Sequence, residues 1–173
     1  EVNSCTVLAN KFFVRTFLLL VFVLAILPAK SGAVEITAKA GVLMNAESGM
    51  VYWEKSSRLR LPPASTAKVL TALVVLERNR LDEIVEIPAI ATKTAGATIP
   101  LAAGERLSVE ALLIAMLLGS ANDAALALAN HSGGSVGNFV TAMNDKARHL
   151  GARDSKFLNP TGLPQSGQLS TAF

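Results

Sequence analysis

Ser65 and Lys68, in Ser65-Thr66-Ala67-Lys68, are the residues of this chain best suited to covalent chemistry. On a helix, positions three apart share a face, so the lysine amine can reach the serine hydroxyl. A neutral amine there can take the hydroxyl proton and leave an alkoxide-like nucleophile. Ser120-Ala121-Asn122 adds a second hydroxyl and a side-chain amide from another loop, suited to relaying a proton and holding an amide substrate. Each pattern has an ordinary alternative. Ser65 could be a helix cap with Lys68 solvated in the first turn, and residues 120–122 could be a break in which Ser120 or Asn122 caps the next helix. Short motifs also recur by chance. The order of the two, the Pro62-Pro63 pair before the first and the apolar run before the second favour chemistry.

The elements that must position these residues follow from local patterns. Proline at 62 and 63 bars helix and marks the start of one, predicted over residues 65–80. Val69, Leu70, Leu73, Val74 and Leu76 are its expected apolar face. A nucleophile at that helix start would have free backbone N–H groups and the positive end of the dipole beside it. Both favour an oxyanion, and the same end, with burial, lowers the pKa of Lys68. Residues 42–54 suggest a β-hairpin around Glu47-Ser48-Gly49, and residues 84–87 a short strand ended by Pro88. Residues 89–104 read as loop. Ser108 caps a helix whose run 111–118 is apolar nearly all round, so it is expected to be buried. Gly119 breaks it, and residues 122–130 restart a helix. Ser135 can cap the next, with Phe139, Met143, Ala147 and Leu150 on one stripe and Gly151 at its stop. Asn159-Pro160-Thr161-Gly162 reads as a turn.

The length of 173 residues suits one domain. Lys11 and Arg15 precede the apolar run 17–27, followed by Pro28 and Ser31-Gly32-Ala33. This predicts a secretory signal peptide over residues 1–33, cleaved after Ala33. A run of about eleven residues is short for a membrane span. Residues 34–173 carry 13 Lys/Arg against 12 Asp/Glu, which leaves no nucleic-acid footprint. The only cysteine, Cys5, precedes the apolar run and has no internal partner. No His, Cys, Asp and Glu cluster has metal-ligand spacing, no Gly-rich loop cradles phosphate, and no cofactor is expected. His131 and His149 suit surface or capping roles rather than a Ser-His pair.

The ordered motifs resemble the penicillin-binding and β-lactamase superfamily, whose signature joins Ser-x-x-Lys, Ser-Asp-Asn and Lys-Thr-Gly. Within it the chain is most similar to the low-molecular-mass D-alanyl-D-alanine carboxypeptidases of the penicillin-binding protein 5 type. The resemblance runs over residues 40–173. It rests on the hairpin, Pro63-Ala64-Ser65-Thr66-Ala67-Lys68, Gly104-Glu105-Arg106-Leu107-Ser108-Val109-Glu110 and Ser120-Ala121-Asn122-Asp123-Ala124-Ala125. Met143-Asn144-Asp145-Lys146-Ala147, Asn159-Pro160-Thr161-Gly162-Leu163 and Ser170-Thr171-Ala172 extend it. The resemblance implies an α+β fold of the superfamily's type, with a helical region and an incomplete antiparallel sheet. It implies Ser65 as the acylated nucleophile, Lys68 as its general base, Ser120 as proton relay and Asn122 as a hydrogen-bond partner of the substrate amide.

The implied substrate is the peptidoglycan stem peptide, losing its terminal D-alanine, and β-lactam antibiotics are implied as acylating mimics. An extracytoplasmic, periplasmic place is implied too, with a C-terminal membrane anchor not visible in this sequence. The third motif has no match after Asn122. Lys93-Thr94-Ala95-Gly96 carries an extra residue and precedes Ser120, so it reads as chance. The expectation is that the 173 residues are an N-terminal part of a longer catalytic domain, inactive alone, with Lys-Thr/Ser-Gly beyond Phe173. A class A β-lactamase is disfavoured because no glutamate follows Glu110. A D,D-endopeptidase of the same superfamily, a penicillin-binding sensor that acylates once, and a truncated pseudoenzyme remain as alternatives.

Overall fold

The computed structural model describes residues 35–173. The expected leader and its cleavage point lie outside the described residues. In chain order come β1 (Gly41–Met44) and β2 (Val51–Lys55), a 3-10 turn at Ala64–Thr66, and α1 (Ala67–Arg78). Then follow β3 (Ile84–Glu86), a 3-10 turn at Ala91–Lys93, β4 (Arg106–Ser108), α2 (Val109–Leu118), α3 (Asn122–Gly133) and α4 (Val136–His149). All of these belong to one unit, Ala38–Phe173.

Alanine decides how the helices meet. Ala121, Ala124, Ala125, Ala127 and Ala129 are fully buried along the start and length of α3, with Leu128 among them. Small side chains let α1, α2 and α4 close around α3 at short range, and larger residues fill the outer gaps. Phe139 and Met143 from α4, Leu112 and Met116 from α2, and Val74 and Val75 from α1 do that filling. α3 is therefore the central helix, and its first residues are fixed from several sides.

The sheets are small. β1 and β2 pair antiparallel with a register shift at Leu43/Met44, and Asn45 Oδ1 accepts from the N–H groups of Glu47 and Ser48 in the turn. β3 and β4 pair antiparallel from Ile84↔Ser108 to Glu86↔Arg106, with Val85 buried. β4 went unread in the sequence because three residues are too few to show a period of two.

Three expectations about faces need correction. On α1 the buried set is Ala67, Lys68, Leu70, Thr71, Ala72, Val74 and Val75, whereas Val69, Leu73 and Leu76 are exposed. An apolar helix offers two candidate faces, and the polar contacts of Lys68 and Thr71 select between them. α2 is not buried all round: Ile114, Leu117 and Leu118 are exposed while Val109, Leu112, Leu113 and Met116 are covered. On α4 the stripe holds for Phe139, Met143 and Ala147, but Leu150 lies past the helix end and is exposed. The caps behave as expected. Ser108 Oγ accepts from Ala111 N at 3.1 Å, and Ser135 Oγ accepts from Asn138 N at 3.1 Å.

Candidate active site

Pro62-Pro63 delivers the chain into the 3-10 turn, and α1 starts only after Thr66. Ser65 thus stands in the tight turn ahead of the α-helix. Ala64 before it has φ +48°, left-handed backbone that a non-glycine residue adopts only under constraint. Ser120 shares the feature, with φ +53° after the Gly119 cap of α2. Each hydroxyl is thus presented at or beside a strained position, and the two meet: Ser120 Oγ donates to Ser65 Oγ at 2.8 Å.

Lys68 is the second residue of α1, one turn on from Ser65, and is 2 % exposed. Its Nζ is 2.7 Å from Asn122 Oδ1, 2.8 Å from Thr161 O, 3.2 Å from Ser65 Oγ and 3.4 Å from Ser120 Oγ. No carboxylate is among these partners. Burial without a counter-charge pushes the Lys68 ammonium below the ordinary lysine value. A neutral amine has two N–H groups and one lone pair. In that form the two short contacts would take the two protons and leave the lone pair toward the serine hydroxyls, whereas an ammonium donates to Ser65 and Ser120 as well. An amine so placed is within reach of both hydroxyl protons.

Asn122 opens α3, whose N-cap Ala121 offers no side-chain cap. Its Oδ1 accepts from Lys68, and its Nδ2 donates to Ala95 O at 2.7 Å. The expectation for Asn122 was substrate binding; within the protein it also anchors the amine. Its second Nδ2 proton is the one it can offer to a guest. The structure thus brings all four expected residues together.

Several neighbours went unread in the sequence. Asp123, 1 % exposed, accepts from Ile99 N at 3.0 Å and Leu101 N at 3.3 Å, while Asn122 N donates to Ala97 O at 2.8 Å. Together they fix the 95–101 loop over the site. Thr71 Oγ1 donates to Pro160 O at 2.8 Å, so α1 grips consecutive carbonyls of the 159–163 turn through Thr71 and Lys68. Gly162, φ +81°, lies against the nucleophile's turn so closely that a Cβ would sit 1.7 Å from Ala64 O. The Asn-x-Thr-Gly spelling of residues 159–162 was the available signal, since such a turn with its glycine is a fixed object.

A cavity of about 230 Å³ opens at this place, lined by Ser65, Ser120, Asn122, Gly96, Thr161 and Gly162 among others. A larger one, about 580 Å³, lies along α4 and the 153–158 segment and contains none of the four residues. The first has the chemistry, so it is the candidate site. The stretch Lys93-Thr94-Ala95-Gly96 enters as loop: Ala95 O and Gly96 face Asn122, while the Lys93 side chain is exposed and does not line the cavity. His131 bonds Glu83 at 3.3 Å, and His149 ends α4; neither reaches the site.

The profile of the D-alanyl-D-alanine carboxypeptidase family, peptidase S11, matches residues 28–173. The chain is 36 % identical over 141 residues to the D-alanyl-D-alanine carboxypeptidase DacF of Bacillus subtilis, covering 79 % of this chain and 36 % of that protein. It is 33 % identical over 131 residues to a D-alanyl-D-alanine endopeptidase of Escherichia coli, covering 75 % and 42 %. Among solved structures, the carboxypeptidase DacD of Francisella tularensis superposes with a TM-score of 0.77 at 35 % identity, covering 80 % of this chain and 35 % of that one. The chain therefore spans about two-fifths or less of the length of these relatives, and its fold is theirs over that span.

Proposed function

Because the chain belongs to the D-alanyl-D-alanine carboxypeptidase family of serine peptidases, we propose that its protein removes the terminal D-alanine from peptidoglycan stem peptides through an acyl-enzyme on Ser65. The observation that carries this reading is the buried Lys68 amine, without a carboxylate partner, 3.2 Å from Ser65 Oγ. Lys68, with Ser120 as relay, takes the Oγ proton as Oγ attacks the carbonyl of the penultimate residue. The C–N bond breaks, the proton passes to the leaving D-alanine amine, and water then releases the acyl group. The positive end of α1 stabilises the oxyanion. Asn122 holds the substrate amide with its remaining Nδ2 proton.

β-Lactams are proposed to acylate the same oxygen, because their ring amide mimics the scissile bond. Stem peptides lie outside the cytoplasm, which fits the leader expected over residues 1–33 and an extracytoplasmic place of action. The endopeptidase relatives support D,D-endopeptidase cleavage of cross-linked peptides as the second reading.

The test uses the full-length protein and a labelled penicillin. Mass spectrometry is expected to place the label on Ser65, and Ser65→Ala to remove it. Lys68→Arg keeps the charge but cannot lose a proton at working pH. Its acylation rate is expected to fall roughly a hundred- to ten-thousand-fold, the range of general-base catalysis. A label on Ser120, or near-normal acylation by Lys68→Arg, would sink the mechanism. Release of D-alanine from a pentapeptide, against cleavage of a cross-linked dimer, separates the two readings.

A further inference from the structure

Lys68 Nζ donates to Thr161 O at 2.8 Å, and the turn that carries that carbonyl is gripped from outside by one buried amide. Thr161 Oγ1 donates to Asn159 Oδ1 at 2.9 Å, so the Thr161 side chain is spent inside its own turn. Asn159 closes the turn from within, its Oδ1 also accepting from Gly162 N at 2.9 Å and its Nδ2 donating to Leu163 O at 3.0 Å, and Gln168, 2 % exposed, holds it from outside. Its Oε1 accepts from Leu158 N at 2.8 Å and Asn159 N at 3.0 Å. Its Nε2 donates to Leu163 O at 2.9 Å and lies 3.4 Å from Asn159 Oδ1. One amide thus grips both ends of the 159–163 turn.

The backbone that carries Gln168 is itself pinned. Leu169 and Lys156 exchange N–H···O bonds of 3.0 and 2.7 Å, and Ser170 and Leu61 exchange two of 2.8 Å. Leu61 immediately precedes Pro62-Pro63 and the Ser65 turn. The base of Gln168 is therefore tied to the segment that delivers the nucleophile, while its amide holds the turn that delivers the Thr161 carbonyl.

We infer that Gln168 is a positioning residue for acylation of Ser65: its amide holds the 159–163 turn so that Thr161 O takes one Lys68 proton and leaves the amine's lone pair facing Ser65. This rests on the reading of Lys68 as the base. Without the grip, the turn loosens, water reaches Nζ, and the amine returns toward ordinary lysine behaviour. A general loss of stability would instead lower activity equally at all pH.

The experiment compares full-length wild type with Gln168→Met, which matches the length without the hydrogen bonds, and with Gln168→Asn, which retracts the amide by one methylene. Two quantities are read: the titration midpoint of Lys68 by NMR of labelled lysine, assigned with Lys68→Arg, and the pH profile of Ser65 acylation by labelled penicillin. For Gln168→Met the midpoint is expected to rise. Neutral-pH acylation should fall about tenfold in step and recover partly as the pH is raised. Gln168→Asn should move both in the same direction by less. A folded Gln168→Met whose Lys68 midpoint is unchanged, with acylation lowered by one factor at every pH, overturns the inference. If that variant does not fold, Gln168→Asn decides by the same two readouts. Wild type that is not labelled would overturn the proposed function and the role of Gln168 in acylation with it, whereas a labelled wild type with an unmoved Lys68 midpoint in Gln168→Met overturns the inference alone.

Discussion

Helix α1 is tied to α3 by a polar knot at each end, and the two knots are built on opposite principles. At its N-terminal end, Lys68 meets Ser65, Ser120, Asn122 and Thr161, with the amine buried and no carboxylate among its partners. Beyond its C-terminal end, Glu83 accepts from Arg80 N at 2.8 Å and Asn79 Nδ2 at 3.0 Å and bonds His131 of α3. Ser132 Oγ donates to Asn79 Oδ1 at 2.5 Å beside it. The second knot lies near the surface and is rich in charge. Its donors hold the Glu83 carboxyl at about 2, with the Arg80 N–H the leading cause. In the first, burial pushes a cation toward neutrality; in the second, donors keep an anion charged. Both fasten the same two helices, but only the first sets an amine without a counter-charge beside two hydroxyls.

The largest expected effect comes from breaking the first knot at its tightest approach. Gly162→Ala adds a methyl 1.7 Å from Ala64 O at a backbone of φ +81°. Either the 159–163 turn or the Ser65 turn must move. Overpacking and left-handed strain together predict a loss of roughly 3 kcal/mol, read by denaturant unfolding, with acylation of Ser65 lost alongside. Unchanged unfolding and labelling would show that this contact does not constrain the site.

The next effect converts the first knot into the second kind. Asn122→Asp places a carboxylate where Oδ1 lies 2.7 Å from Nζ. An adjacent anion favours the ammonium, so the Lys68 pKa rises. Acylation at neutral pH is expected to fall about a hundredfold, near 2.7 kcal/mol on the barrier, and its pH profile to move toward alkaline values. Stopped-flow acylation across pH reads this. A profile that keeps its midpoint would mean that the missing counter-charge is not what favours the neutral amine.

How much of this was legible in the sequence divides along the same line. Ser65 and Lys68 are readable because helical spacing places them together, and Ser120 with Asn122 because a glycine break follows an apolar run. The helices, the hairpin and the Ser108 and Ser135 caps are local objects and were readable too. Thr161 was not, because it acts through a backbone carbonyl that any residue carries. Gln168 and Asp123 bond backbone groups of loops, and no periodicity announces such partners. The outward turn of Val69, Leu73 and Leu76 was misread for a related reason. Their hydropathy outweighs that of Lys68 and Thr71 in any pattern, yet the specific contacts of those two decide which way α1 faces.

The smallest effect tests the second knot. The Glu83 carboxyl is held at about 2 in the folded protein, against an ordinary value near 4.5. A depressed carboxylate binds fewer protons folded than unfolded across that window, so stability rises with pH there. Its contribution is complete above about 4.5 and is lost as the pH falls toward about 2. Glu83→Gln removes the charge and keeps the shape. The wild type is therefore expected to melt slightly above the variant at neutral pH, and the gap to close as the solution is acidified through that window. Because the group is partly exposed, the gap should be no more than a few degrees, and acylation of Ser65 should be unaltered. Melting curves of the two proteins at matched pH give the gap directly. A gap that stays constant into acid would show that shape, not charge, makes the clip. A change in acylation would show that the two ends of α1 are coupled, contrary to the separation drawn between them.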